Sequence, residues 1–441
     1  MLTVSETEII IEVGLMTMVW QYTGGLRKVK RTEGGVCAAK GFFASSCEAN
    51  VKYEGRQDMA LLFSESPCVT AGTYTKNRFQ AAPVIWDRKI TESDMKSRVV
   101  VINSGIANAC TGKKGDMACR ETARIAAECL EKERGIKSDP DSILVSSTGV
   151  IGMDIPIDRI ADGIEKMVPK LSESFDCANM AAKAIMTTDT VEKEEACTFE
   201  IDGKIVHIGA MAKGSGMIHP NMGTMLCFIT TDVNISKDLL QKALSEDIKD
   251  TFNMISVDGD TSTNDTVLIL ANGQAGNTLI ESEGSAYDAF REGLHFVNES
   301  ISKKIAGDGE GATCLFEVRV ENMDTKDNAR KIAKSVVSSS LTKAAVNGHD
   351  ANWGRILCAV GYSDADFDPE RVDLSFESTR GTIMVAENGR GVDFDENKAT
   401  DILSEGHVIA RLDMKMGKEG ASAYGCDLSH EYVSINADYR S

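Results

Sequence analysis

Positive charge is scarce in this chain: 48 Lys and Arg face 67 Asp and Glu across 441 residues, a formal net charge of −19. A nucleic-acid backbone or an anionic membrane surface needs clustered Lys and Arg, so neither is expected as a main partner and small molecules are favoured. The twelve cysteines include no C-x-x-C pair, which disfavours structural zinc and a disulfide framework alike. They read as reduced, small core residues in the cytoplasm, and none is taken as a nucleophile. No G-x-G-x-x-G lies in a strand-to-helix setting and there is no P-loop, so no nucleotide cofactor is expected, and no metal. A secretory leader is not expected either, because Glu6 and Glu8 precede the apolar patch at 9–20 and Glu12 interrupts it. Internal repeats, low-complexity tracts and long linkers are also missing.

What is present is core material. Forty-two per cent of the residues are hydrophobic, enough for two or three domains or one large α/β unit. The folded body is expected to begin near Gly34-Gly35, with residues 1–32 an N-terminal extension. "SRVVVINSG" (97–105) reads as a buried strand opening into a loop, and "SILVSSTGVIG" (142–152) repeats that device. The spacing predicts helices over 116–135, 156–168, 177–186, 237–252, 285–305 and 326–346. "CTFEI" and "KIVHIGAM" read as strands about the turn Asp202-Gly203, and "TMLCFITTD", "TVLILA" and "ATCLFEVRV" as further strands. Strands and helices interleave to the end, which indicates mixed α/β layering.

At 213–226 the sequence "KGSGMIHPNMGTML" runs from a glycine-rich stretch into that apolar strand, with Gly223-Thr224 at the junction. A β-branched residue that opens a strand after a loop glycine needs no function. The alternative is self-cleavage: the Thr224 hydroxyl attacks the Gly223 carbonyl, the acyl group moves from nitrogen to oxygen, and water hydrolyses the ester. The freed α-amine has an ordinary pKa of about 7.7–8.0 and can serve as base for its own hydroxyl. Glycine at 223 suits the strained geometry that exposes its carbonyl.

The wording of this segment closely resembles the self-cleavage segment of the ornithine acetyltransferase (glutamate N-acetyltransferase) family, in which the threonine before Met-Leu carries the acyl group. "GGVCAAKGF" (34–42), "TYTKNRFQAAPV" (73–84), "VINSGIANACTG" (101–112), "SSTGVIG" (146–152), "IMTTDT" (185–190), "VDGDTSTNDT" (257–266), "GDGEGAT" (307–313), "DANWGRI" (350–356) and the terminal "YVSINADYRS" resemble that family too. The resemblance implies a mixed-sheet sandwich of the DmpA/ArgJ-like type, self-cleaved into two interlocked chains, 33–223 after the extension and 224–441. It implies transfer of acetyl from N2-acetylornithine to glutamate through acetyl-Thr224, in the cyclic pathway of arginine biosynthesis, without metal or cofactor. An α2β2 assembly is implied as well, and acetyl-CoA as a second donor stays open.

Roles carried over from the resemblance give Thr148 and Gly149 as the oxyanion hole, where a hydroxyl and a backbone N–H on a tight turn can meet a tetrahedral intermediate. Lys213 resembles the lysine that pairs with a substrate carboxylate, and Glu310 would face an amine. Asn436 and Ser441 resemble the residues that close the pocket, and Thr187, rather than its neighbour Thr188, is taken as a further contact. His219 is declined as base, since the α-amine of Thr224 fills that role. Three departures stand out: Gly223 where alanine or another small residue is usual, Cys314 where the family often has lysine, and residues 1–32 without counterpart. An N-terminal-nucleophile amidohydrolase or aminopeptidase is the rival enzyme, and an uncleaved binding or scaffold protein the rival of another class.

Overall fold

A computed structural model describes residues 29–219 and 225–438. The expected cleavage pair Gly223 and Thr224, Ser441, and most of the N-terminal extension lie outside the described residues. Lys30–Arg31 pairs antiparallel with Cys197 and Thr198, and Arg31 forms a 3.0 Å ion pair with Glu195. Two residues of the expected extension therefore belong to the first sheet.

That sheet has nine strands. In order across it run Lys30–Arg31, Lys193–Ile201, Lys204–Lys213, Leu226–Thr231, Thr266–Ala271, Met59–Tyr74, Ser97–Asn103 and Leu144–Ser147, and Phe42–Cys47 also pairs with Met59–Tyr74. The predicted hairpin at Asp202-Gly203 forms with φ of 52° and 72° at its two residues, the two positive values that match the turn to the twist of its strands. Leu226–Thr231 and Thr266–Ala271 pair in parallel and every residue in both is buried. A parallel pair covered on both faces needs a continuous apolar run, which is how both segments read. Met59–Tyr74 is long because a register shift between Phe63 and Cys68 lets its first half pair with Ser97–Asn103 and its second with Thr266–Ala271.

The second sheet has seven strands, in the order Arg390–Gly391, Gly381–Glu387, Asp373–Ser378, His407–Asp413, Leu315–Met323, Glu419–Cys426 and Ile255–Ser256. The helix Ser285–Gly307 packs against strands of both sheets, and Lys326–Ser338 lies against Glu419–Cys426 and Leu315–Met323. The helix predicted over 326–346 is in fact two, Lys326–Ser338 and Ser340–Asn347. Ser339 breaks it by turning extended and accepting the Thr342 N–H on its own hydroxyl, an N-cap that starts a new helix. The helix predicted to 252 ends at Asp247, followed by a short 3-10 turn at Phe252–Met254.

The chain passes from the second sheet to the first through residues 257–265, between Ile255–Ser256 and Thr266–Ala271. Strands from both sides of position 223 share the first sheet: Leu226–Thr231 and Thr266–Ala271 are inserted together between Lys204–Lys213 and Met59–Tyr74. Phe228, fully buried in the middle of this stack, tests how far the core depends on it. Phe228→Ala is expected to cost about 3–5 kcal/mol, read as a lower denaturant midpoint; an unchanged midpoint would contradict this placement of the core.

Candidate active site

Three strand ends meet where the chain crosses between the sheets. Lys213 closes its strand opposite Leu226, and Leu226 lies opposite Thr266. Met225, the residue after Thr224, is already tied in, its carbonyl accepting the Thr266 N–H at 2.9 Å. On the other side of the undescribed stretch, Asp258 accepts the N–H groups of Met217 (2.6 Å) and Ile218 (2.8 Å). The Thr261 hydroxyl donates to the His219 carbonyl at 2.9 Å. Segment 257–266 thus fastens both flanks of the Gly223-Thr224 junction.

The same segment reaches the expected oxyanion loop. Asn264 Nδ2 donates to the Ser147 carbonyl at 2.7 Å and to the Ala107 carbonyl at 2.6 Å. The parallel strands Ser97–Asn103 and Leu144–Ser147 deliver the two loops side by side, and the Thr148 N–H donates to the Asn103 carbonyl at 3.0 Å. Gly149 has φ +128°, and a Cβ there would lie 2.3 Å from the Gly105 carbonyl carbon, so the turn admits no side chain. Among the described residues, neither the Gly149 N–H nor the Thr148 hydroxyl has a hydrogen-bond partner.

Of the other expected site residues, the structure brings together two pairs. Lys213 Nζ donates to Thr187 Oγ1 at 2.6 Å, and the lysine is only 7 % exposed. Asn436 Nδ2 donates to Glu310 Oε2 at 2.8 Å, and Glu310 is 9 % exposed. One pair presents an ammonium beside a hydroxyl, the other a carboxylate beside an amide, so the two can receive opposite charges. Glu310 is joined to the Lys213 strand by its own N–H, which donates to the Ser215 carbonyl at 3.1 Å.

Several contributors carry no role in the sequence reading. Asp189, inside "IMTTDT", accepts from Gly214 N–H (2.6 Å) and Thr187 N–H (3.0 Å) and lies 3.6 Å from Lys213 Nζ. Burial opposes its ionisation, but Lys213 and Lys193 beside it more than offset that and hold its carboxyl well below the usual range. Asp258 and Asn264 sit in "VDGDTSTNDT", and Tyr432 reaches Asp258 at 3.3 Å. Asp189 and Asn264 could have been singled out only by the segments they stand in, since apart from Lys193, four residues after Asp189, their partners beyond their own loops are remote in the chain.

His219, declined as base, has its ring against Ser256 at 3.0 Å. Burial, then the nearby Lys334 charge, pushes its pKa down to about 4, and burial lowers that of Lys334 to about 7. The imidazole is therefore neutral near pH 7. No group of three or more His, Cys, Asp or Glu among the described residues is arranged to hold a metal ion, and no described helix is long and apolar enough to cross a membrane.

Residues 43–441 match the model of the ArgJ family. Arginine biosynthesis bifunctional protein ArgJ 1 of Clostridium acetobutylicum is 52 % identical over 400 residues, covering 91 % of this chain and 96 % of that protein. The chain belongs to the ArgJ family. Arginine biosynthesis bifunctional protein ArgJ of Thermotoga neapolitana is 50 % identical over 403 residues, 91 % of this chain and 99 % of that one. A solved structure of an ornithine acetyltransferase complexed with ornithine, from Mycobacterium tuberculosis, aligns with 36 % identity and a TM-score of 0.41, over 44 % of this chain and 100 % of that chain.

Gly149→Ala is expected to displace the Thr148-Gly149 loop and, if that loop is the oxyanion hole the resemblance implies, to lower the transfer rate by about 10²- to 10³-fold, with an unchanged circular dichroism spectrum. A rate within twofold of wild type would contradict the loop's role. A folded-state pKa of about 4 for His219 against 6.5 unfolded means that stability present above pH 6.5 is lost as pH falls towards 4, unfolding taking up the proton. The melting temperature of His219→Gln should therefore fall less steeply than that of wild type across that window; equal slopes would refute the assignment.

Proposed function

We propose that the chain transfers acetyl from N2-acetylornithine to glutamate through an ester on Thr224, after cutting itself between Gly223 and Thr224. The observation that carries this reading is the pair of oppositely charged subsites built on the buried Lys213, with Thr187, and the buried Glu310, with Asn436, tied together by the Glu310 N–H on the Ser215 carbonyl just beyond the Lys213 strand. An amino-acid substrate with a carboxylate and a side-chain amine matches both. Lys213 and the Thr187 hydroxyl take the carboxylate, and Glu310, oriented by Asn436, takes the amine. Ser441 completes the closing set in this reading.

In the first half-reaction the Thr224 hydroxyl attacks the acetyl carbonyl and its proton passes to the α-amine of the same residue. The tetrahedral oxyanion is met by the Thr148 hydroxyl and the Gly149 N–H. Collapse breaks the amide bond, the proton goes to the departing amine, and ornithine leaves. In the second, the α-amine of glutamate attacks the ester carbonyl, the same donors hold the oxyanion, and Thr224 recovers its proton as N-acetylglutamate forms. Preorganised donors need no rearrangement as charge develops, and this is where most of the acceleration arises. With its pKa pushed down to about 4, His219 is too weak a proton acceptor to compete, which leaves the Thr224 amine as the base. Two copies of each cleaved half are proposed to assemble as α2β2, and the twelve free thiols suit the reducing cytoplasm. The motifs leave acetyl-CoA open as a second acetyl donor.

The test is the denatured mass of the purified protein with N-terminal sequencing. Two fragments, each roughly half of 47.6 kDa, one beginning Thr-Met-Leu-Cys, are expected, together with acetyl transfer that rises when glutamate is added. Thr224→Ala should be uncut and inactive. A processed, active Ala variant would overturn the reading, and product formation indifferent to glutamate would make the enzyme a hydrolase.

A further inference from the structure

Lys193 lies fully buried between two carboxylates, with its Nζ 2.8 Å from Asp189 Oδ1 and 2.5 Å from Asp308 Oδ2. The Asp189 carboxylate touches the Lys213 half of the proposed substrate site directly, while Asp308, anchored by its carboxylate to Lys193 and Thr190, reaches the Glu310 half through its backbone carbonyl. Asp189 fixes the Lys213 end: it accepts the N–H groups of Thr187 and Gly214 and lies 3.6 Å from Lys213 Nζ. Asp308 fixes the Glu310 end, two residues along the chain. It accepts the Thr190 N–H at 3.1 Å and the Thr190 hydroxyl, and its carbonyl accepts the Ser215 hydroxyl at 2.8 Å. Ser215 in turn accepts the Glu310 N–H. Gly216 lies so close to the Glu310 carboxylate that a Cβ there would fall 2.3 Å from its carbon.

A buried charge triad of this kind is weak as a source of stability, because desolvation cancels most of the attraction, while its geometry is specific. Two carboxylates and the two lysines Lys193 and Lys213 also balance in charge before any substrate arrives. The alternative, an ion cluster that merely fills space, does not account for its contacts: besides Thr190 and Val191 they fall on Thr187 and Lys213–Ser215, and Ser215 carries them on to the Glu310 N–H.

We propose that Asp189, Lys193 and Asp308 form a positioning relay that sets the separation between the Lys213–Thr187 and Glu310–Asn436 subsites, and so selects the side-chain length of the acetylated diamino acid. This rests on the reading above, in which Lys213 takes the carboxylate and Glu310 the amine. The three are proposed as positioning residues rather than catalytic ones. They act through Lys213 and Glu310, so their loss changes which substrate fits more than it changes the chemistry of Thr224.

The experiment compares kcat/KM for N2-acetylornithine with that for its analogues one methylene shorter and one longer, N2-acetyl-2,4-diaminobutyrate and N2-acetyllysine, with glutamate as acceptor. Wild type is expected to prefer N2-acetylornithine by at least about tenfold, the scale of discrimination that one methylene commonly gives. If wild type transfers no acetyl to glutamate, the functional reading fails. If it transfers without preference for length, the relay fails alone. Asp308→Asn, which loosens the Glu310 end, should shrink the preference at least fivefold, with self-cleavage checked by mass. A fall by one common factor for all three substrates would overturn the proposal. Should that variant not mature, Ser215→Ala keeps every charge and removes only the hydroxyl tie to the Asp308 carbonyl. A smaller shrinkage of the preference is then expected, and an unchanged ratio would again overturn it.

Discussion

One row of residues crosses the first sheet in register, Lys213 opposite Leu226, Leu226 opposite Thr266, and Thr266 opposite Tyr74, and the site depends on it. A shift of one residue in any of these pairings would turn the side chains beyond it to the other face. The row is pinned from both sides: fully buried apolar strands fix its register, and the 257–266 segment joins it to the second sheet. Because Asn264 sits two residues before Thr266, the same register that places Lys213 also carries the amide that holds the Ser147 carbonyl. The proposed substrate end and the proposed oxyanion loop are set by one alignment rather than by separate devices.

The electrostatics follow a single rule. Cations and anions are buried together near the site, so that Asp189 stays ionised through Lys213 and Lys193. Burial first, and the neighbouring Lys334 second, keep the imidazole of His219 neutral. Low-dielectric surroundings magnify both effects. At the Lys213 end of the proposed site, the carboxylate of Asp189 already compensates Lys193 and Lys213 in part before any substrate arrives.

Much of the fold was legible from sequence where one cause dominated. "TVLILA" is a strand from Thr266 to Ala271 as read, because six apolar or β-branched residues with no competing turn signal leave little else. The Asp202-Gly203 hairpin followed from turn chemistry alone. Where two causes competed, the reading slipped. The helix through 326–346 kept its apolar period across Ser339, but a serine hydroxyl that caps the Thr342 N–H outweighs period over one turn. Met59–Tyr74 was not singled out, since Ser64, Ser66 and Pro67 interrupt its apolar pattern at the register shift. In the site, Lys213, Thr187, Glu310 and Asn436 were named from motif resemblance, and their pairing into two contacts came from the fold. Lys193 and Asp308 stand 115 residues apart, and nothing local to either announces the other.

The insertion of two strands from after position 223 among strands from before it has a consequence for the life history of the molecule. Cutting the chain there would sever one covalent link and leave every ladder of the first sheet intact, so the native state would lose nothing it relied on. Unfolding would be another matter. A molecule that formed as a single connected thread would, once opened, have to find its other half by diffusion, and recovery would depend on dilution where first folding did not. The cut would work as a ratchet: the sheet could be woven once by a continuous chain, and its product would hold together by topology and packing alone.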